Sequence, residues 1–316
     1  MHKPARNTIV PIACIGLMFF VFGFTTWINS MLIPYFKLAC ELSHFESYLV
    51  TFAFYISYLV MSLPASVLLK RTGFKKGMMI GFWIMATGAF VFIPAACLRA
   101  YPVFLCGLFL IGIGLALLQT AANPYVTILG PKERAAQRIS VMGICNKTAG
   151  ILAPLILAAA IFKPGDEELF RNIATVDPAL KNELLDQLIR RVIFPYACMG
   201  SVLLILGLMV RYSPLPEIEN FEENSTSNTA VADKPIFSFP HLILGVVAIF
   251  LHVGSQVIAI DTIIGYAHST GISIMRAKAF PGFTLFATIC GYLAGIVLTP
   301  KFISQLKMFR ICTLLG

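Results

Sequence analysis

Eight long apolar runs, separated by short polar stretches, organise this chain. They lie at roughly 8–35, 47–69, 77–98, 102–128, 139–162, 192–212, 241–266 and 280–300. Each is long enough for a helix to cross the hydrocarbon of a bilayer, which takes about 20 residues. The pattern predicts an all-α polytopic membrane protein, its backbone hydrogen bonds closed inside helices because hydrocarbon offers no other partner. The first run is too long and too polar at its end, with Trp27 and Asn29, for a cleaved signal peptide. Two polar stretches break the rhythm. Residues 163–191, with the amphipathic Leu184-Leu185-Asp186-Gln187-Leu188, predict a short helix outside the membrane. Residues 213–240, rich in Pro, Asn, Ser and Glu, predict a flexible linker. The expected layout is therefore 1–212 as a six-helix bundle, 213–240 as a cytoplasmic linker, and 241–316 as a partial second bundle. Six spans, a linker and further spans is the arrangement of two-bundle carriers built from inverted repeats.

Composition agrees. The 316 residues are 58% hydrophobic and 12% charged, about half the charge of a soluble domain. The net charge of +9 does not point to nucleic acid, because the basic residues sit in short loops. One side collects Lys3, Arg6, Lys70, Arg71, Lys75, Lys76, Lys132, Arg134, Arg138, Arg211, Lys234, Lys301, Lys307 and Arg310. The short loops of the other side hold Lys37, Arg99, Arg276 and Lys278. The longer acidic loop 163–191 weighs less, so the N-terminus is expected to be cytoplasmic. The eight cysteines are scattered singly, without CxxC or Cys/His clusters, and predict neither a metal nor a disulfide framework. No cofactor is expected.

Polar residues inside the runs carry the candidate chemistry. Gln119 and Asn123 lie four apart in the fourth run and share a helix face. A carboxamide in hydrocarbon is costly unless partnered, and such a face suits a ligand rich in hydroxyls, a sugar above all. Polar glue between helices is the other reading. Asn29 is open to the same pair of readings. Asp261 is the only acid well inside a run. An unpaired aspartate there costs about 2.5–3.5 kcal/mol, so it is expected either to serve as a coupling-ion or hydroxyl site or to be structurally bonded near the end of its helix. Gln256 lies five residues earlier. Lys147 in the fifth run either snorkels or is structurally paired, or it faces the cavity and donates to a sugar or to Asp261, and Asn146 beside it points about 100° away. Trp27 is open to stacking on a sugar or to packing. Asn123-Pro124 is expected to help break the fourth helix.

Three stretches make the reading specific. QTAANPYVTILGPKERAAQRIS (119–140), TTWINSMLIPYFK (25–37) and GICNKTAGILAP (143–154) resemble the glucose/galactose branch of the fucose–galactose–glucose:proton symporter family, within the major facilitator superfamily. HVGSQVIAIDTIIGYA (252–267) resembles that family's seventh helix, and Lys70-Arg71-Thr72-Gly73-Phe74-Lys75-Lys76 the superfamily's basic loop between helices two and three. The resemblance implies hexose uptake by alternating access, coupled to an ion, in the cytoplasmic (inner) membrane of a bacterium. On this reading Asn29, Gln119, Asn123, Asn146 and Gln256 contact the sugar, and an enzyme is not expected because His44, His241, His252 and His268 are dispersed with no carboxylate cluster near them beyond the loose His268/Asp261 relation. Fucose-type members carry a carboxylate after the first-helix Asn and a glutamate at the start of the TAANP run. This chain has Ser30 and Gln119 there, and neither titrates. Asp261 is then the remaining membrane carboxylate, for a proton or a sodium ion. The family has twelve helices, and the stretch 308–316 reads as the opening of a ninth. The chain is thus expected to be truncated, with loss of transport, a hexose-binding sensor or a vestigial fragment as alternatives.

Overall fold

The computed structural model describes residues 9–128, 134–163, 166, 177–213, 239–299 and 301–315. Among the described residues eight helical spans are long and apolar enough to cross a membrane, one for each apolar run. The chain reads as a multi-pass membrane protein.

The first span is two helices in series, α1 (Ile9–Trp27) and α2 (Asn29–Ala39), interrupted at Ile28. Then come α3 (His44–Thr72), α4 (Phe74–Cys97), α5 (Tyr101–Ile128) and α6 (Ala135–Ile161). α7 (Pro178–Arg190) is the expected short amphipathic helix, burying Leu185, Leu188 and Ile189, and it leads into α8 (Ile193–Tyr212). The seventh span is α9 (Pro240–Asp261) continued by α10 (Ile263–Ser269), interrupted at Thr262. α11 (Ile274–Ala277) precedes α12 (Phe280–Leu298), the eighth span, and α13 (Gln305–Leu315) follows it. Most of the linker 213–240, and Pro131 and Lys132 of the 119–140 motif, lie outside the described residues.

Local chemistry sets these boundaries. Ser43 and Glu46 form a capping box that starts α3, each side chain bonding the other's backbone N–H. Gly73, at φ +76°, is the single residue between α3 and α4, a conformation that favours glycine. Asp177 caps α7 by accepting from the Ala179 N–H, with Pro178 at the first helical position. Arg138 donates to the carbonyls of Val126 (2.8 Å) and Thr127 (3.0 Å). It thereby occupies acceptors that the end of α5 would leave bare.

α7 is fastened over one end of the bundle. Tyr35 of α2 donates to the Leu188 carbonyl at 2.6 Å. Arg99 bonds the Ala39 carbonyl, Asn182 and Asp186, Lys181 pairs with Glu41, and Arg191 pairs with the buried Asp166. The same end carries the turn between α2 and α3.

One expectation is overturned. α5 runs unbroken through Asn123-Pro124. Proline's fixed φ is itself helical, so its cost is one lost backbone bond and some crowding of the preceding turn, which did not interrupt this helix. The interruptions fall in the first and seventh spans instead.

Close helix contacts rest on glycine. α4 and α5 pack through Gly88 and Gly107, where a Cβ on Gly88 would lie 2.6 Å from the Gly107 carbonyl oxygen. A Cβ on Gly23 of α1 would run into the backbone carbonyl of Asn146 in α6. Small residues of this kind let helix backbones approach in a membrane. By contrast, α9 buries only Ile260 and Asp261, and α12 only Pro281 and Leu285. We expect Gly88→Ala to lower the stability of the purified protein by about 1–3 kcal/mol, measured by thermal unfolding in detergent. Gly291→Ala, where nothing lies within 4 Å of the new methyl, should leave stability unchanged or slightly raised.

Candidate functional site

Asn29 opens α2 directly after the interruption of the first span. It is fully buried, yet neither its Oδ1 nor its Nδ2 has a hydrogen-bond partner. Both ends of a carboxamide left bare in an apolar interior cost on the order of 1–3 kcal/mol each. The interhelical-bond reading of Asn29 thus has no partner to support it among the described residues, and the side chain is free to bond a ligand.

Asp261 sits at the matching interruption of the seventh span. It is 3% exposed. Thr51 of α3 donates to its Oδ2 at 3.3 Å, while Oδ1 has no partner among the described residues. The carboxylate also acts electrostatically on the phenols of Tyr48 and Tyr55. The Tyr55 hydroxyl is itself buried without a partner. One turn further along α3, Tyr58 accepts from the Gln119 carboxamide nitrogen at 3.2 Å.

α3 is therefore a rail. Tyr48, Thr51, Tyr55 and Tyr58 recur at spacings of three and four along one helix face and link Asp261 at one end to Gln119 at the other. The sequence reading passed over this face. Its signal was the 48, 51, 55, 58 spacing itself, hidden because Tyr and Thr fit an apolar run.

The remaining candidates divide. Asn123, one turn beyond Gln119, is exposed, and Gln256 is half-buried on α9. Asn146 and Lys147 gather around Trp27. The Trp27 indole N–H donates to Asn146 Oδ1 at 3.3 Å, and Asn146 Nδ2 donates to the Phe19 carbonyl at 3.3 Å. Lys147 is 5% exposed, with its Nζ 4.2 Å from the centroid of the Trp27 ring, a cation–π contact. Its ammonium is buried rather than snorkelled to the membrane edge, and no acidic partner lies within 4.0 Å among the described residues. The 100° between Asn146 and Lys147 is spanned by one indole held between them. Trp27 also packs against Ile151, Ile260 and Leu285, and it fits because residue 150 is glycine, where a Cβ would strike the ring. The packing reading of Trp27 is the one the contacts support.

An apolar cavity of about 390 Å³ opens elsewhere, between α1, α6 and α8. Phe20, Phe24, Leu157 and Met199 line it. Its lining of hydrocarbon gives a sugar few hydroxyl partners, so the polar cluster around α3 is the better candidate. Among the described residues no group of three His, Cys, Asp or Glu side chains comes together to hold a metal.

Comparison with known proteins gives the family. The model of the Major Facilitator Superfamily matches residues 15–316. The glucose/galactose transporter of Brucella abortus is 34% identical over 255 residues, covering 80% of this chain and 57% of that protein. The L-fucose-proton symporter of Escherichia coli is 29% identical over 265 residues, covering 83% of this chain and 60% of that protein. The chain thus spans less than two thirds of the length of these relatives, which are transporters by name. The crystal structure of the E. coli fucose:proton symporter superposes with a TM-score of 0.73 at 26% identity, over 94% of this chain and 72% of that one. With eight spans, paired interruptions in the first and seventh, and a family match over almost its whole length, the chain belongs to the Major Facilitator Superfamily.

Proposed function

We propose that this protein carries a hexose, glucose or galactose, across the cytoplasmic (inner) membrane by alternating access, coupled to a proton or sodium ion. The observation that carries the reading is Asn29. A fully buried carboxamide with both ends bare, at an interrupted span that faces another interrupted span, is what a polar substrate site near the bilayer midplane requires. The relatives named for glucose, galactose and fucose supply the substrate class. The basic loops support a cytoplasmic N-terminus, and in that orientation the α2–α3 turn and α7 form the outer face.

In this reading Asn29 gives and accepts one hydrogen bond each with neighbouring sugar hydroxyls. Gln119 adds a second carboxamide, held in place by Tyr58. Asn123 and Gln256, neither deeply buried, would close on the substrate as the halves approach. Asn146 is already bonded at both ends within the protein, so its contribution to the sugar runs through the position of Trp27. Lys147 lies over the ring of the same indole. Asp261 is the coupling carboxylate, since Ser30 and Gln119 occupy the positions where titratable groups stand in fucose-type members.

Equilibrium binding of labelled glucose and galactose to the purified protein tests the site. Asn29→Ala and Gln119→Ala are each expected to weaken binding about tenfold or more, since one lost bond to a buried polar partner costs on the order of 1–3 kcal/mol. Unchanged affinity in both variants would remove the site. In proteoliposomes, Asp261→Asn is expected to retain hexose counterflow but to lose ion-driven accumulation. Accumulation that survives this change rules out the coupling role. Saturable binding with no counterflow in the unmodified chain would instead support a binding-only protein.

A further inference from the structure

We propose that Thr51 and Asp261 form a latch between the N-terminal and C-terminal halves that closes only when the Asp261 carboxyl carries a proton, so that the coupled ion is a proton rather than sodium. The inference rests on the ion-coupled reading above and assigns its ion, its site and the event it controls.

The latch joins residues 210 positions apart, on opposite sides of the linker. It also accounts for how the seventh span meets the first half. Of the 22 residues of α9, Ile260 and Asp261 alone are buried, so the contact concentrates on the carboxyl group and its chain neighbour. One turn on, Gly265 of α10 faces the Tyr48 hydroxyl, which would lie 3.2 Å from a Cβ there. α10 therefore lies against the same face of α3.

The hydrogen-bond inventory selects the proton. An ionised carboxylate offers about four acceptor sites. Here Thr51 fills one, and Oδ1 has none. The groups facing Asp261 from α3 are Tyr48, Thr51 and Tyr55, all uncharged. Asn29 and Ser30 at the start of α2 are neutral, and Thr262 follows on the same span. His252 on α9 and His268 on α10 are exposed. Lys147 of α6 spends its charge over the Trp27 ring. Among the described residues no cation lies within 4.0 Å of the carboxylate. Burying an ion with one neutral partner is unfavourable, and a proton removes that cost by removing the charge. Sodium would need a shell of oxygen ligands, as hard cations do, and Thr51 is the single hydroxyl bonded here.

Depth gives the direction of the cycle. Thr51 lies seven residues into α3, about 10 Å from its start, and Asp261 eight residues before the end of α10, about 12 Å from it. Both ends lie on the α7 side. When that side opens, water reaches Asp261, which binds a proton from it on a carboxylate oxygen. Neutral, the carboxyl can be buried against Thr51, and the side closes. When the opposite side opens, the proton leaves to water there, the bare carboxylate can no longer stay buried, and the latch parts. Thr51 is a positioning residue in this scheme, because it holds the carboxyl without itself carrying the proton.

Trp27 reports on the latch because it packs against Ile260. In the purified full chain carrying Trp83→Phe, Trp27 is the sole tryptophan. Its emission is expected to show one transition with pH that is unchanged when sodium replaces potassium. Asp261→Asn should remove the pH dependence of the emission, because a neutral side chain leaves the latch free to open and close at every pH. Thr51→Val should move the midpoint to lower pH by about half a unit or more, from the loss of one hydrogen bond to the closed state. Thr51→Ser should restore it. A transition that persists in Asp261→Asn, one that sodium produces at fixed pH, or no transition in a protein whose helical circular dichroism is intact overturns the proposal. Glucose and galactose are then added at fixed pH. Failure of either sugar to alter Trp27 emission, with the pH transition intact, removes the hexose reading and leaves the latch standing.

Discussion

Hydrocarbon can neither donate nor accept a hydrogen bond, so every polar group that this chain carries into the membrane must be satisfied by the chain itself or by what it binds. The helices follow from that constraint, since they close nearly all backbone bonds internally. The site follows from it too, because the polar atoms that the helices leave bare stand out. Asn29, Tyr55 and Asp261 together hold four of them, and all belong to spans that meet along α3. Two of these residues adjoin interruptions in the first and seventh spans, corresponding positions of the two halves of the fold.

What brings those spans together is close packing more than polar attraction. Glycines let α1 reach α6, and α4 reach α5, at backbone distance. Trp27 then fills the space over Gly150 and touches both α9 and α12 through Ile260 and Leu285. One indole therefore packs both bundles, carries the Lys147 charge on its face and fixes the Asn146 carboxamide. The halves meet at this residue, at the Thr51–Asp261 contact and along α6 and α12, where Gln137 donates to the carbonyls of Ile296 and Thr299.

The end of the bundle that carries α7 is built differently. Its contacts are ion pairs and hydrogen bonds among Glu41, Arg99, Lys181 and Asp186, at partly exposed positions, and the pair of Arg191 with the buried Asp166. Such pairs add little stability individually where water competes. They serve to orient α7 and the α2–α3 turn, and Tyr35 adds the buried bond that ties the two together.

The eight spans, the short helix after the fifth, and Asn29, Gln119 and Asp261 as unusual residues were all legible in the sequence. Run length against bilayer thickness and the cost of polarity in hydrocarbon are properties of single segments, and no fold is needed to read them. The family likeness came from segments of the same kind. The tyrosine and threonine face of α3 was missed because those side chains are apolar enough to blend into a membrane span, and their hydroxyls matter only once Asp261 and Gln119 lie opposite. The break expected at Pro124 fell instead at Ile28 and Thr262, because whether a helix bends or parts depends on what packs against it. The joining of Trp27 to Asn146 and of Thr51 to Asp261 spans 119 and 210 residues. The sequence by itself determined which residues could not rest in lipid unaided. Only the tertiary structure decided which of them found partners and which were left bare, because a partner in hydrocarbon can come only from a helix that packing has brought alongside.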